Sequence, residues 1–149
     1  MPLPKLSNWI AASLLLAAAV TPACAGTPSR HELLKILAHQ GFSGALTGDI
    51  HLTPLGSLQC RARSYQAFFF QWYDIHPAGK AIHAQSRIVM LDEHRQYLGS
   101  YVVDDKPVKV TPGSILFPYT EELGSAISCD ADTLPTKARL NGEQRPLEK

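Results

Sequence analysis

Apolar positions recur at helical spacing between residues 29 and 41. Leu33, Leu34, Ile36 and Leu37 form one stripe, the pattern of a helix with a single buried face. Ser29 and Glu32 stand three residues apart in capping-box form, and Gly41 supplies the stop. From Gly44 the period changes to two. Leu46, Gly48, Ile50 and Leu52 point one way and Thr47, Asp49, His51 and Thr53 the other, which predicts a strand with one buried face. Pro54-Leu55-Gly56-Ser57 reads as the turn that ends it.

Leu58 to Tyr73 predicts a second, long strand, broken or bent near Ser64-Tyr65-Gln66, with a turn at His76-Pro77-Ala78-Gly79. Ile82, Ala84, Ser86, Ile88 and Met90 alternate through the next segment. Asp92 to Arg95 then form a turn, and Gln96 to Val103 return as a hairpin partner. Shorter segments follow: Pro107–Val110, Ser114–Phe117 after the Pro112-Gly113 turn, and Ser125–Cys129 after a turn at Glu121–Gly124. Residues 131–149 are rich in charge, and Leu134, Leu140 and Leu147 are their only large aliphatic residues. That composition predicts a polar, disordered tail. The expected fold is mainly β: a small antiparallel β-meander barrel or sandwich of six to eight strands with one N-terminal helix.

Composition changes the picture at the N-terminus. Lys5 precedes an apolar run from Trp9 to Val20, Pro22 breaks it, and Ala23-Cys24-Ala25 gives the small-x-small pattern of a processing site. The run is shorter than the 20 or so residues that span a bilayer. Residues 1–25 are therefore expected to be a signal peptide, leaving a single domain over 26–130 ahead of the tail. Thr21 and Pro22 stand where a lipid-anchored Cys24 would need aliphatic and small neighbours. Removal of the segment leaves two cysteines, Cys60 and Cys129. An even pair in an exported domain predicts a structural disulfide. The implied destination is the periplasm or the outside of the cell, without stable membrane insertion after processing.

Charge excludes one class of partner. With 14 Lys+Arg against 13 Asp+Glu the chain is nearly neutral, which argues against electrostatic binding of nucleic acid. Metalloprotease, phosphate-loop, nucleophile-elbow and Cys-x-x-Cys motifs do not occur, and no cofactor or metal is implied. Two arrangements remain. His51 and His83 lie on strand segments and could act as general base and acid in hydrolysis, with Arg61, Arg63 or Arg87 holding an anion. The same pair with a carboxylate could bind zinc. Solvated strand-face histidines are the plainer alternative.

The second arrangement is the aromatic run from Phe68 to Tyr73. Alternation puts Phe68, Phe70 and Trp72 on one face and Phe69 and Tyr73 on the other. If the helix covers one face, Phe69 and Tyr73 stay accessible beside Arg95 and Tyr97 of the neighbouring hairpin, and these four form a candidate binding surface. If both faces are covered, the strand is simply core. The plan of an exported antiparallel β-domain with one disulfide resembles that of small periplasmic inhibitors such as those of lysozyme, a likeness of architecture that designates no site residue. The expected function is thus an exported, non-enzymatic β-domain that binds another protein of the envelope or outside the cell, of inhibitor or immunity type. The alternatives are a small periplasmic hydrolase using the histidine pair and a structural accessory of the envelope.

Overall fold

Ser29 opens helix α1 (Arg30–His39): its hydroxyl accepts from the Glu32 amide at 3.3 Å, and its own amide donates to the Glu32 carboxylate at 2.7 Å. These bonds hold the Glu32 carboxyl below its usual range against an opposing desolvation, with Arg95 and His31 adding to the lowering. This reciprocal cap satisfies two otherwise orphaned donors. The structure, a computed structural model, describes residues 26–75 and 82–149. The expected signal segment and the turn at 76–79 lie outside the described residues.

Among the described residues nine strands follow: β1 (Ile50–Cys60), β2 (Arg63–Ile75), β3 (Ile82–Leu91), β4 (Tyr97–Val103), β5 (Lys109–Thr111), β6 (Ser114–Leu116), β7 (Ala126–Ser128), β8 (Lys137–Leu140) and β9 (Glu143–Pro146). A short helix, α2 (Thr120–Leu123), lies between β6 and β7. Two antiparallel sheets form in sequence order, β1-β2-β3-β4 and β5-β6-β7-β8-β9. The result is a sandwich of meanders rather than a closed barrel, with α1 as a third layer.

The first sheet is buried on both faces. Phe68, Phe70, Trp72, Ile50 and Val89 point to α1 and meet Leu33, Leu37 and Phe42. Tyr65, Ala67, Phe69, Ile88, Met90 and Tyr101 point to the second sheet and meet Ile115, Phe117, Ile127 and Leu140. Burial pushes the Tyr101 hydroxyl well above the usual tyrosine range, and it donates to the Pro135 carbonyl at 2.5 Å.

A bulge decides how the second core is reached. The expected turn at 54–57 is not a turn, because β1 runs straight through it and its register shifts between Pro54 and Gly56. Gly56 takes φ +103° there, a conformation glycine adopts without strain. Ahead of the bulge, Ile50 and Leu52 pair with Trp72 and Phe70 on the helix-facing side. Beyond it, Leu58 and Cys60 pair with Tyr65 and Arg63, and both belong to the core between the sheets. One extra residue has swapped the faces of an 11-residue strand. Cys60 therefore faces the second sheet and bonds Cys129 across a Cα–Cα distance of 5.4 Å. The chain reverses at Arg61-Ala62, ahead of the expected break at 64–66, with Arg61 at φ +45°.

Residues 131–149, expected as a disordered tail, are ordered. Ala138 and Leu140 are buried while Lys137 and Arg139 face out. Asn141 and Gly142, at φ +49° and +80°, make the two-residue turn into β9. Composition summed over the tail underrates it, because its few leucines fall at the positions that face inward. The chain then leaves β9 to meet the first sheet: Glu148 exchanges both backbone hydrogen bonds with Ser100, at 2.7 and 2.9 Å.

Candidate functional site

The structure separates the residues that sequence pattern grouped. Phe69 is 5% exposed and packs between the sheets, whereas Tyr97 is equally buried on the helix side. Burial also raises the Tyr97 hydroxyl above the usual tyrosine range. Tyr73, 39% exposed, lies seven residues along β2 from Gln66, whose partner Leu91 pairs with Tyr97. That is about 23 Å at the strand rise. Arg95 is occupied in joining layers: it donates to the Gly26 carbonyl at 2.6 Å and approaches Glu32 at 3.7 Å. Phe69, Tyr73, Arg95 and Tyr97 thus form no common surface. The expectation of an accessible Phe69 fails because, at that position, α1 covers one face of the sheet and the second sheet covers the other.

The histidines separate by strand parity. His51 pairs with Gln71 and His83 with Asp74. Residues 71 and 74 of one strand point to opposite faces, so the two imidazoles project from opposite sides of the sheet. They form no shared acid–base site. Exposed His51 sits 3.4 Å from Asp49 and edge-on to Tyr73. The three arginines are also dispersed. Arg61 meets Asp132 at 3.6 Å at the surface, Arg63 lines a cleft of about 330 Å³ with Tyr65, Glu93 and His94, and Arg87 is bound to Glu148. Among the described residues no three His, Cys, Asp or Glu side chains converge as metal ligands.

What the structure does assemble is a groove between β5 and α2. Val108 is 67% exposed and Tyr119 63%, while Phe68, Phe69 and Phe70 are all buried. The two residues line one open groove of about 470 Å³ with Lys109, Leu116, Pro118, Glu121 and Glu122. Leu123, also exposed, follows on the same helix, and its amide donates to the Tyr119 carbonyl at 2.8 Å. Tyr119 has a left-handed backbone, φ +61° and ψ +28°, a conformation uncommon for a residue bearing a Cβ.

The groove is held by its surroundings. Phe117 is anchored in the core between the sheets, and its amide donates to Ser125 at 3.1 Å. The Thr120 hydroxyl lies 2.5 Å from the Phe117 carbonyl and 2.9 Å from that of Ser125. The Val108 amide donates to Leu116 at 2.9 Å. Both exposed side chains therefore stand on a backbone closed by hydrogen bonds to the core. Glu121 and Glu122 are exposed on one rim, Lys109 on the other. Strand alternation carries no signal for this site; the one cue is a large aromatic residue inside the turn-forming stretch Pro118-Tyr119-Thr120.

Compared with protein-family models, with curated proteins and with solved structures, the chain matches none.

Proposed function

We propose that this protein is an exported β-domain, stabilised by its disulfide, that binds another protein of the cell envelope or outside the cell, and that the groove between Val108 and Tyr119 makes the contact. The observation that carries the reading is Tyr119, a large aromatic side chain held out into solvent on a strained, hydrogen-bonded backbone. Strain of this kind costs about 1–3 kcal/mol and persists where the surrounding structure imposes it, often at binding sites. A tyrosine suits the role. It offers a rigid apolar ring with a polar tip and loses little side-chain entropy on docking. Val108 and Pro118 extend the apolar floor, and the charged rim residues would orient a partner.

Export agrees with the disulfide and with the N-terminal pattern of residues 1–25. No helix among the described residues is long and apolar enough to cross a membrane. The mature protein should begin at Gly26, as intact-mass measurement would show. The binding reading is tested by quantitative capture from an envelope extract with the wild type, Tyr119→Ala and Val108→Asp. A specific partner should be recovered with the wild type and lost with either variant. Loss of one anchor side chain is expected to weaken affinity about thirtyfold, equivalent to about 2 kcal/mol. Both side chains are exposed, so the melting temperature should not move. An unchanged set of captured proteins across all three chains would sink the reading.

A further inference from the structure

Leu147 and Glu148 are held against the first sheet by several independent contacts. Glu148 lies along the outer edge of β4 and exchanges both backbone hydrogen bonds with Ser100. Its carboxylate takes a 2.9 Å bond from Arg87 Nη1, which also reaches the Ser100 hydroxyl at 3.2 Å. The Arg87 side chain is 16% exposed and its guanidinium lies 6.0 Å from the centre of the Trp72 ring. The Tyr97 hydroxyl points at the Glu148 carbonyl at 3.4 Å. Gly99 leaves the space: a Cβ there would lie 2.7 Å from the same carbonyl oxygen. Leu147 packs against the core between the sheets.

The two halves of this contact are unequal. The receptor half is built from β3 and β4 and rests on both cores. The occupant is a short stretch beyond the last pair of the β8–β9 hairpin, Lys137 with Pro146. Its release breaks one further backbone bond, from the Leu147 amide to the Thr136 carbonyl at 2.9 Å, and withdraws Leu147 from its packing, but the pairs between β8 and β9 all precede it. Its departure would bare the β4 edge and leave a mostly buried guanidinium without its carboxylate, two conditions that an incoming acidic strand would correct together. We infer that the β4 edge, with Arg87, Ser100, Tyr97 and Gly99, is a strand-docking site for an extended segment of another protein carrying an apolar–acidic pair, and that Leu147-Glu148 fills it in cis. Recognition combines main-chain pairing with one charge-assisted contact, the pattern of strand addition at a sheet edge. The site is separate from the Tyr119 groove, and its test uses no captured partner, so the two readings fail independently.

The probe is a fluorescent, amidated peptide with the sequence of residues 144–149, Gln-Arg-Pro-Leu-Glu-Lys, titrated against the full chain. Glu148→Lys places a cation against Arg87 and should open the site. The peptide should bind this variant at least about tenfold more tightly than the wild type, in which the cis segment holds the site closed. A peptide with Gln in place of its Glu should lose that binding. Equal binding of the two peptides, or no difference between the chains, would overturn the proposal. A concentration-dependent dimer of the wild type that Glu148→Lys abolishes would assign the site to a second copy of the chain instead. Should the variant fold poorly, hydrogen exchange on the wild type decides. The Ser100 amide, directed at Glu148, should exchange about tenfold or more faster than the Tyr101 amide, directed at β3 by strand alternation. Equal protection would mean that the segment opens only with the whole sheet and would refute the docking role.

Discussion

The two faces of the first sheet are covered in different ways. On one side lies α1, a segment that immediately precedes β1 and carries its own apolar stripe. It is held without a covalent link: Phe42 meets Phe70, Trp72 and Tyr97 edge-to-face at 5.0, 6.2 and 5.9 Å. Arg30 donates to the Ile50 carbonyl at 2.9 Å, and the Tyr97 amide donates to the Gln40 side chain at 2.6 Å. On the other side lies the second sheet, whose strands are all three or four residues long. Such strands hold little by themselves, and they are fastened to the first sheet at separate points, beside β7, at the β5–β6 turn and beyond β9. Cys60 bonds Cys129, and the Gln59 amide donates to Pro112 at 2.6 Å, while Glu148 pairs with Ser100 at the far edge. A cover that is local in sequence can rely on packing. A cover assembled from short, distant pieces needs ties at separate points.

The sharpest test of that contrast lies in the aromatic strand that serves both faces. Phe70→Ala opens the helix-facing core and Phe69→Ala the core between the sheets; each should cost about 3–5 kcal/mol in denaturant unfolding. Tyr73→Ala, at an exposed position, should cost under about 1 kcal/mol. A mild effect at Phe69 would mean that the second sheet covers the strand less tightly than α1 does.

Removing the covalent tie should act on one side only. Reduction of the Cys60–Cys129 bond, or the double change to alanine, is expected to cost about 2–4 kcal/mol through the freed loop. Hydrogen exchange should then rise first in β5 to β7 while Leu33 and Leu37 of α1 stay protected. Uniform loosening of both covers would show that the two cores unfold as one unit.

A smaller effect than either of these belongs to the helix cap. Ser29→Ala should cost about 1 kcal/mol. Because the capped Glu32 carboxyl is held below its usual value of 4.5, its contribution is complete above that pH and fades as acid takes the folded protein through the lowered value. A thermal melt series should therefore show a shallow acid loss that Glu32→Gln removes, with no matching change at neutral pH beyond the constant offset of the lost cap.

Several elements are legible in the residues alone because their causes are local. Ser29, Glu32 and Gly41 mark the helix through bonds made within a few residues. Asp92 marks the β3–β4 turn, where its carboxylate accepts from the amides of His94 and Gln96, both at 2.8 Å. With Cys24 set aside in the expected signal segment, Cys60 and Cys129 are the remaining cysteines, and they pair. The β5–β6 hairpin follows from Pro112-Gly113. The candidate surface of Phe69, Tyr73, Arg95 and Tyr97 was not legible, since alternation tells which residues share a face and not what lies against that face.

The alternating pattern and the leading amphipathic segment by themselves determined a β-rich meander with one helix, and the cysteine pair that remains beyond residues 1–25 pointed to the Cys60–Cys129 disulfide. Tertiary structure alone decided the rest. A bulge at Pro54–Gly56 turned Cys60 and Leu58 toward the second sheet, because one inserted residue reverses the parity of all that follows. Leu134, Ala138 and Leu140 found a core to enter, so a segment too polar to fold alone became two strands. Tyr119 and Val108 were left in solvent, because exposure depends on what the remainder of the chain covers, and that sum is made only when both sheets have closed on each other.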